Sequence, residues 1–316
     1  MKQAIPQKNI LMLAPMAGVT DASFRALCAE YGANYLVTEM VSAKAVCFGD
    51  KKTAALASLY GAKDTAIQIF GSEPYYMAEA AKRLLEYGPA AIDINMGCPV
   101  PKCVKSGEGS ALMKKTALAA EIVAAVKAAV DVPVTVKMRT GFDAAHKNAV
   151  ELARLAEEAG ASLICVHGRT REQMYSGVAE TETVAAVKAA VRVPVVANGD
   201  VVDGNSAKKL LAETGCDGIA IGRGSLGKPW MFAEVKAALA GEEYTEPDNE
   251  EKHRTLCRHL INMTELKGER MAILEARKHL SWYSKGITGS AAIRREANSV
   301  VTLKQALAVA DKLFGK

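Results

Sequence analysis

Short apolar, β-branched runs recur along the first 222 residues. They cover 10–14, 35–38, 66–69, 91–95, 134–137, 163–167, 195–198 and 218–221. Apolar runs of this length that do not alternate suit strands buried on both faces, as in a parallel sheet. Between most of them lie Ala-rich stretches with helical spacing, for example 74–87, 116–130, 145–159 and 180–191. Gly32, Gly88, Gly160 and Gly215 stand just past these stretches, where a left-handed cap favours glycine. Strand and helix alternate eight times, which predicts the α/β class and a (β/α)8 TIM barrel. A doubly wound open sheet is the alternative. In a barrel, functional side chains gather where the strands end. The eight ends carry Pro15 and Met16, Glu39, Gln68, Asn95, Lys137 with Arg139, His167 with Arg169, Asn198 with Asp200, and Gly222 with Arg223.

The pattern changes near residue 240. Residues 241–251 are polar, acidic and broken by Pro247, and 252–316 show helical spacing only. The expected organisation is a barrel domain, 1–240, and a small all-helical domain, 241–316. Charge divides the same way. Residues 252–316 hold 13 Lys/Arg against 5 Asp/Glu, a balance of +8, which leaves −3 for residues 1–251 of a chain carrying +5. A basic helical tail on a mildly acidic body points to an anionic partner for the tail.

Seven scattered cysteines, with neither a CxxC pair nor a Cys/His zinc pattern, suit free thiols in a cytoplasmic protein and no metal centre. Lys2 and Lys8 before the run 10–19 resemble a short signal peptide, but Pro15 and Gly18 interrupt it. No run is long enough to span a bilayer, so no membrane association is expected.

Three groups of residues could do chemistry. Gly222-Arg223-Gly224-Ser225-Leu226-Gly227 fits GxGxxG, but a linker follows it where a dinucleotide fold needs another strand. In a barrel, the loops after the last two strands commonly hold phosphate, here Asn198-Gly199-Asp200 and Gly222-Arg223-Gly224. Cys98 follows the fourth strand in a loop stiffened by Pro99 and Pro101. A lone cysteine is usually a small buried hydrophobe, but this one stands at the rim. Cys103 raises the separate reading of a cysteine pair. Lys137 could serve as a Schiff-base amine, a phosphate clamp or a charge beside a flavin. Arg139 favours an anion or an electron-rich ring, and His167 a hydrogen-bonding role.

Taken together, the strings resemble the tRNA-dihydrouridine synthases. They are Ala14-Pro15-Met16-Ala17-Gly18-Val19-Thr20-Asp21, Gln68-Ile69-Phe70-Gly71, Asp93-Ile94-Asn95-Met96-Gly97-Cys98-Pro99, Val136-Lys137-Met138-Arg139-Thr140-Gly141, His167-Gly168-Arg169-Thr170-Arg171 and Ala197-Asn198-Gly199-Asp200, then Ile221-Gly222-Arg223. Ala276-Arg277-Lys278-His279 and Trp282-Tyr283 resemble the bacterial B-type branch. The resemblance implies FMN at the barrel mouth, NADPH as reductant, and reduction of the uridine C5=C6 bond in the tRNA D-loop, with no obligate protein partner. It places FMN on Ala14, Pro15, Met16, Gln68, Lys137, His167, Asn198, Gly199, Asp200, Gly222 and Arg223. It makes Cys98 the proton donor and puts Asn95, Arg139 and Arg169 beside the substrate. A thiol of ordinary pKa, about 8.5, would be protonated at neutral pH and able to act as an acid. The other readings are a dihydroorotate dehydrogenase, a Schiff-base aldolase on Lys137, and a non-catalytic RNA-binding barrel.

Overall fold

The computed structural model describes residues 5–59 and 65–315. Among the described residues there are nine strands: β1 (Ile10–Leu13), β2 (Tyr35–Val37), β3 (Val41–Ser42), β4 (Thr65–Phe70), β5 (Ala91–Met96), β6 (Val134–Arg139), β7 (Leu163–His167), β8 (Val195–Asn198) and β9 (Gly218–Ile221). All pairings between them are parallel. The sheet runs β2-β1-β9-β8-β7-β6-β5-β4, and a β2–β4 pairing closes the ring. That closure excludes the open sheet. The short β3 extends the upper edge of β4 and is too brief to leave a sequence pattern.

The strands are apolar throughout because both faces are covered. Leu11, Leu13, Leu36, Ile67, Ile94, Val136 and Ile164 point outward and pack under the surrounding helices. Ile10, Met12, Tyr35, Ala66, Ala91, Leu163 and Val196 fill the barrel interior. The inward positions then turn polar toward the strand ends. On β5 the inward sequence is Ala91, Asp93, Asn95, and on β6 it is Thr135, Lys137, Arg139. Register sets Asn95 beside Lys137, Arg139 beside His167, and His167 beside Asn198. The barrel is therefore a packed core below and a polar cup above.

Helices Asn249–Lys267, Glu269–Tyr283, Ser290–Ala297 and Leu303–Phe314 form the C-terminal region. The first starts at Asp248, whose carboxylate caps Glu251. The last starts at Thr302, which shares a capping box with Gln305. Leu256, Leu260, Met263, Ile273 and Leu280 build their core, and Trp230 of the barrel segment is part of it. The region is anchored to the barrel helix Ala22–Glu30. Asp21 caps that helix at Phe24 N and pairs with Lys267 at 2.6 Å, the Ser23 hydroxyl donates to the His259 carbonyl, and the Phe24 ring stacks on His259 at 5.5 Å. Burial drives His259 down to about 4 and His279 well below its ordinary value, so this seam holds two neutral imidazoles. Gly227 completes the joint. Its φ is +70°, and a Cβ there would lie 2.3 Å from the Trp282 backbone. The third glycine of the GxGxxG string thus serves a close approach between helical region and barrel.

Among the described residues, no helix is long and apolar enough to cross a membrane, and no group of three or more His, Cys, Asp or Glu could hold a metal ion.

Candidate active site

All fifteen residues singled out above for catalysis, cofactor or substrate line one cavity of about 1180 Å³ over the barrel mouth. Pockets for single drug-sized ligands hold about 300–1,000 Å³, so this one has room for more than one group. Its far wall comes from the helical region, through Trp282, Lys285 and Ile287. The site therefore lies between the barrel and the helices.

Cys98 stands at the end of β5, almost wholly buried. Its loop is held on both sides. The Gly97 and Cys98 amides donate to Asn95 Oδ1 at 3.2 and 2.9 Å. The Ser110 hydroxyl donates to the Cys98 carbonyl at 2.8 Å, and Arg139 Nε to the Gly97 carbonyl at 2.7 Å. Cys103, on the short helix Pro101–Lys105, turns its thiol back toward this loop. A Cβ on Gly109 would lie 2.9 Å from both Cys103 Sγ and Cys98 Cβ. The hydrogen bond from Cys103 pulls the Cys98 thiol below its ordinary value, assisted by the Val100 backbone and Arg139 and opposed by burial. Cys103→Ala is expected to move the pH midpoint of Cys98 alkylation by iodoacetamide upward, toward the ordinary thiol value. An unchanged midpoint would show that Cys103 does not act on Cys98.

Lys137 and His167 form the floor. Lys137 Nζ donates to Asn198 Oδ1 at 2.9 Å, and Asn198 Nδ2 to the Ala220 carbonyl. Burial lowers the Lys137 ammonium. His167 is driven down to about 2 by burial and by Lys137, Arg139, Arg169 and Arg223 around it, so it is a neutral imidazole at any physiological pH.

The two arginines assigned to substrate have other partners. Arg139 also donates to the Thr170 and Met174 carbonyls. Arg169 donates to the Ser176 and Gly177 carbonyls and pairs with Asp200 at 2.7 Å. Both are nearly inaccessible to solvent. Their visible work is to fold loop 170–177 over the rim. Asp200 likewise faces Arg169 and Arg223, at 2.7 and 3.3 Å, so its charge organises two cations. That loop carries Tyr175, which the strand-end reading missed. Its ring lies 5.9 Å from the Arg139 guanidinium and 5.0 Å from that of Arg223. The one sequence sign of it is an aromatic residue soon after the His-Gly-Arg-Thr string. Glu39, a strand-end residue, does not line the cavity and instead accepts from Gly18 N behind the first loop.

The donor set suits a planar heterocycle with a phosphorylated tail. Ala14, Pro15 and Met16 offer an apolar wall, and Lys137 a half-buried cation with one neutral acceptor. The turns at Gly199 and Gly222 to Gly224 stand beside Arg223, which is half exposed. A Cβ at Gly199 would lie 2.4 Å from that of Ala179, and Asp200 adopts φ +50°, so this turn is shaped tightly around the rim.

The family model described as "Dihydrouridine synthase (Dus)" matches residues 12–315, nearly the whole chain. The chain belongs to the dihydrouridine synthase family. As the family name states, its reaction saturates uridine to dihydrouridine, an oxidoreduction. The chain is 44% identical over 293 residues to tRNA-dihydrouridine synthase B of Pseudomonas aeruginosa, spanning 92% of this chain and 88% of that one. It is 44% identical over 278 residues to tRNA-dihydrouridine synthase B of Shewanella oneidensis, spanning 87% and 86%. It is also 41% identical over 306 residues to a probable tRNA-dihydrouridine synthase of Rickettsia bellii, spanning 96% and 93%. Among solved structures, histamine dehydrogenase from Rhizobium sp. 4-9 superposes with a TM-score of 0.57 at 14% identity. That match covers 98% of this chain and 62% of the dehydrogenase, and it speaks to the fold alone.

Proposed function

We propose that this family member reduces uridines in the tRNA D-loop, in the cytoplasm, with FMN at the barrel mouth and NADPH as reductant. The observation that carries this reading is one rim that joins the Cys98 thiol, the Asn95 carboxamide and the Lys137 ammonium beside two glycine turns and Arg223. Bound FMN would supply the hydride for uracil C6, and NADPH would restore it. The rest of the chemistry falls to the chain's own side chains. Cys98 would give its thiol proton to C5, acting from the protonated form whose share Cys103 reduces. Lys137 places positive charge on the cavity floor, where charge developing on a ring edge is stabilised. His167, neutral, adds a polar contact without a further charge. Asn95 has its oxygen on the Gly97 and Cys98 amides and one N–H on Gln68, which leaves its second N–H for the uracil edge.

A stacked uracil cannot enter such a cavity. It must leave its stack at a cost of a few kcal/mol. Phosphate contacts on the helical region supply that energy. Arg254 and Arg295 are exposed and suited to this. Arg277 is withdrawn from it, because it donates twice to the Val300 carbonyl, and Arg258 is paired with Glu30.

Two measurements test the reading. Purified protein should carry a yellow FMN chromophore, and tRNA from cells lacking it should lose D-loop dihydrouridine. Unchanged dihydrouridine in such cells, with the other family members also deleted, would overturn the proposal. Arg223→Ala should weaken FMN binding about tenfold, the loss of a charge-assisted contact worth roughly 1.5 kcal/mol to a half-exposed side chain. Riboflavin affinity should be unaffected, and equal losses for both ligands would show that Arg223 does not meet the phosphate.

A further inference from the structure

We propose that Asp93 is a positioning residue that holds the Cys98 loop in its working geometry through Gln68 and Asn95. The inference rests on the reading of Cys98 as proton donor, and nothing in the sequence marks Asp93 beyond its place in the β5 string.

The relay is fixed at its upper end. Backbone amides can only donate, and the Gly97 and Cys98 amides both aim at residue 95. Asn95 must therefore present its oxygen to them, which turns its NH2 toward Gln68 and makes a 2.8 Å bond to Gln68 Oε1. Gln68 must then turn its own NH2 the other way, and it donates to Asp93 Oδ2 at 2.7 Å. The second oxygen of Asp93 accepts from the Thr135 hydroxyl at 2.5 Å, and the Tyr35 hydroxyl donates to Thr135 in turn. Donors thus converge on Asp93 from both sides. The group at this position has to accept on the side of Gln68.

The strand register makes this possible. Gln68 on β4 is level with Asp93 on β5, which is level with Thr135 on β6, while Asn95 stands one layer higher on the same face. Asp93 and Thr135 are inaccessible to solvent, and Gln68 and Asn95 nearly so. Water is thus poorly placed to substitute for a lost partner, and a buried amide left unpaired is costly. The carboxylate is itself held at a cost. Burial pushes Asp93 up, against the pull of Thr135, Gln68 and Lys137. With an apolar residue at 93, the Gln68 amide has no acceptor below and gains by turning over. Its NH2 would then oppose the NH2 of Asn95, and the disturbance reaches the Cys98 amide. The carbonyl side of the loop, held by Ser110 and Arg139, would keep the backbone near its place without fixing the thiol.

The test compares Asp93→Leu, Asp93→Asn and Thr135→Val. Asp93→Leu removes the acceptor. Asp93→Asn keeps an oxygen for Gln68. Thr135→Val removes the other bond to the same carboxylate and perturbs the same core. Asp93→Leu should lower kcat for uridine reduction at least tenfold with KM for tRNA within twofold, and change the rate of Cys98 alkylation at least threefold. The alkylation readout is independent of turnover, so it still reports on the relay if the proposed reaction is wrong. Asp93→Asn and Thr135→Val should stay within threefold of the parent in alkylation. A parental kcat and alkylation rate in Asp93→Leu overturn the proposal, as does a Thr135→Val variant that matches its loss. If Asp93→Leu does not fold, hydrogen exchange decides. Protected Gly97 and Cys98 amides in both the parent and Asp93→Asn support the relay, and rapid exchange of either amide in the parent overturns it.

Discussion

Cys98→Ala is expected to bind FMN normally and to be bleached by NADPH at the parental rate, yet to form dihydrouridine in tRNA at least about 100-fold more slowly. General acid catalysis by a positioned group contributes about 10²–10⁴-fold, and alanine has no proton to give. The cofactor should not notice the change, because the side chains proposed to hold it stand on other strands. The sign of the pH dependence follows from the thiol. Cys98 acts as an acid only while protonated, and its pKa is lowered by Cys103. In the parent, single-turnover reduction should therefore fall as pH rises through that lowered value. In Cys103→Ala the fall should come at higher pH. Dihydrouridine formation by Cys98→Ala at the parental rate would remove Cys98 from the mechanism.

Lys267→Met should destabilise the protein by about 3 kcal/mol. Asp21 is buried, with one oxygen on the Phe24 amide and the other against the Lys267 ammonium at 2.6 Å. Removing one member of a buried pair costs about 3–5 kcal/mol, because the charge left behind has no partner. Lys267 retains some solvent contact, which puts the expected cost at the lower end of that range. Glu275, the second partner of Lys267, would lose its counter-charge as well. The folded-state pKa of Asp21 lies below its ordinary value of 3.8: burial raises it, but His259, once it takes up a proton in acid, the Lys267 ammonium and the Phe24 amide together pull it lower. The pair's contribution is therefore present above pH 3.8 and is lost as pH falls through the lowered value. Denaturant melts of parent and variant should differ most near neutrality and converge in acid. Equal stability at neutral pH would show that the joint between helix Ala22–Glu30 and the helical region does not depend on this pair. The pair also bears on function, since the same helices carry Trp282 and Lys285 into the cavity. The far wall of the site is thus held by a pair that does not itself line the cavity.

The barrel was legible in the sequence for a simple reason. Each strand is covered on both faces, so each appears as an apolar run, and parallel strands bring their polar C-terminal ends to one rim. The residues at those ends, from Pro15 to Arg223, could be named as a group before any contact was known. The motif strings around Asn95, Cys98 and His167 narrowed the chemistry further. Side-chain partners were not legible, since they depend on register and on where loops return. In the sequence Arg139 looks like a free group for an anion or a ring, and the resemblance puts Arg169 beside the substrate, but loop 170–177 folds back and takes up donors of both. Gly227 completes a phosphate-like string, but the helical region leans on it. Cys103 reads in the sequence as half of an alternative cysteine pair, and only the helix Pro101–Lys105 turns its thiol toward Cys98. Asp21 and Lys267 lie near opposite ends of the chain, and only packing makes them a pair. Burial patterns and strand-end chemistry are local and periodic, so the sequence alone determined the barrel and its rim, while the resemblance to a known family singled out the candidate proton donor. Hydrogen-bond direction and charge pairing arise between distant segments, so only the tertiary structure decided which rim residues face the cavity freely and which hold the others in place.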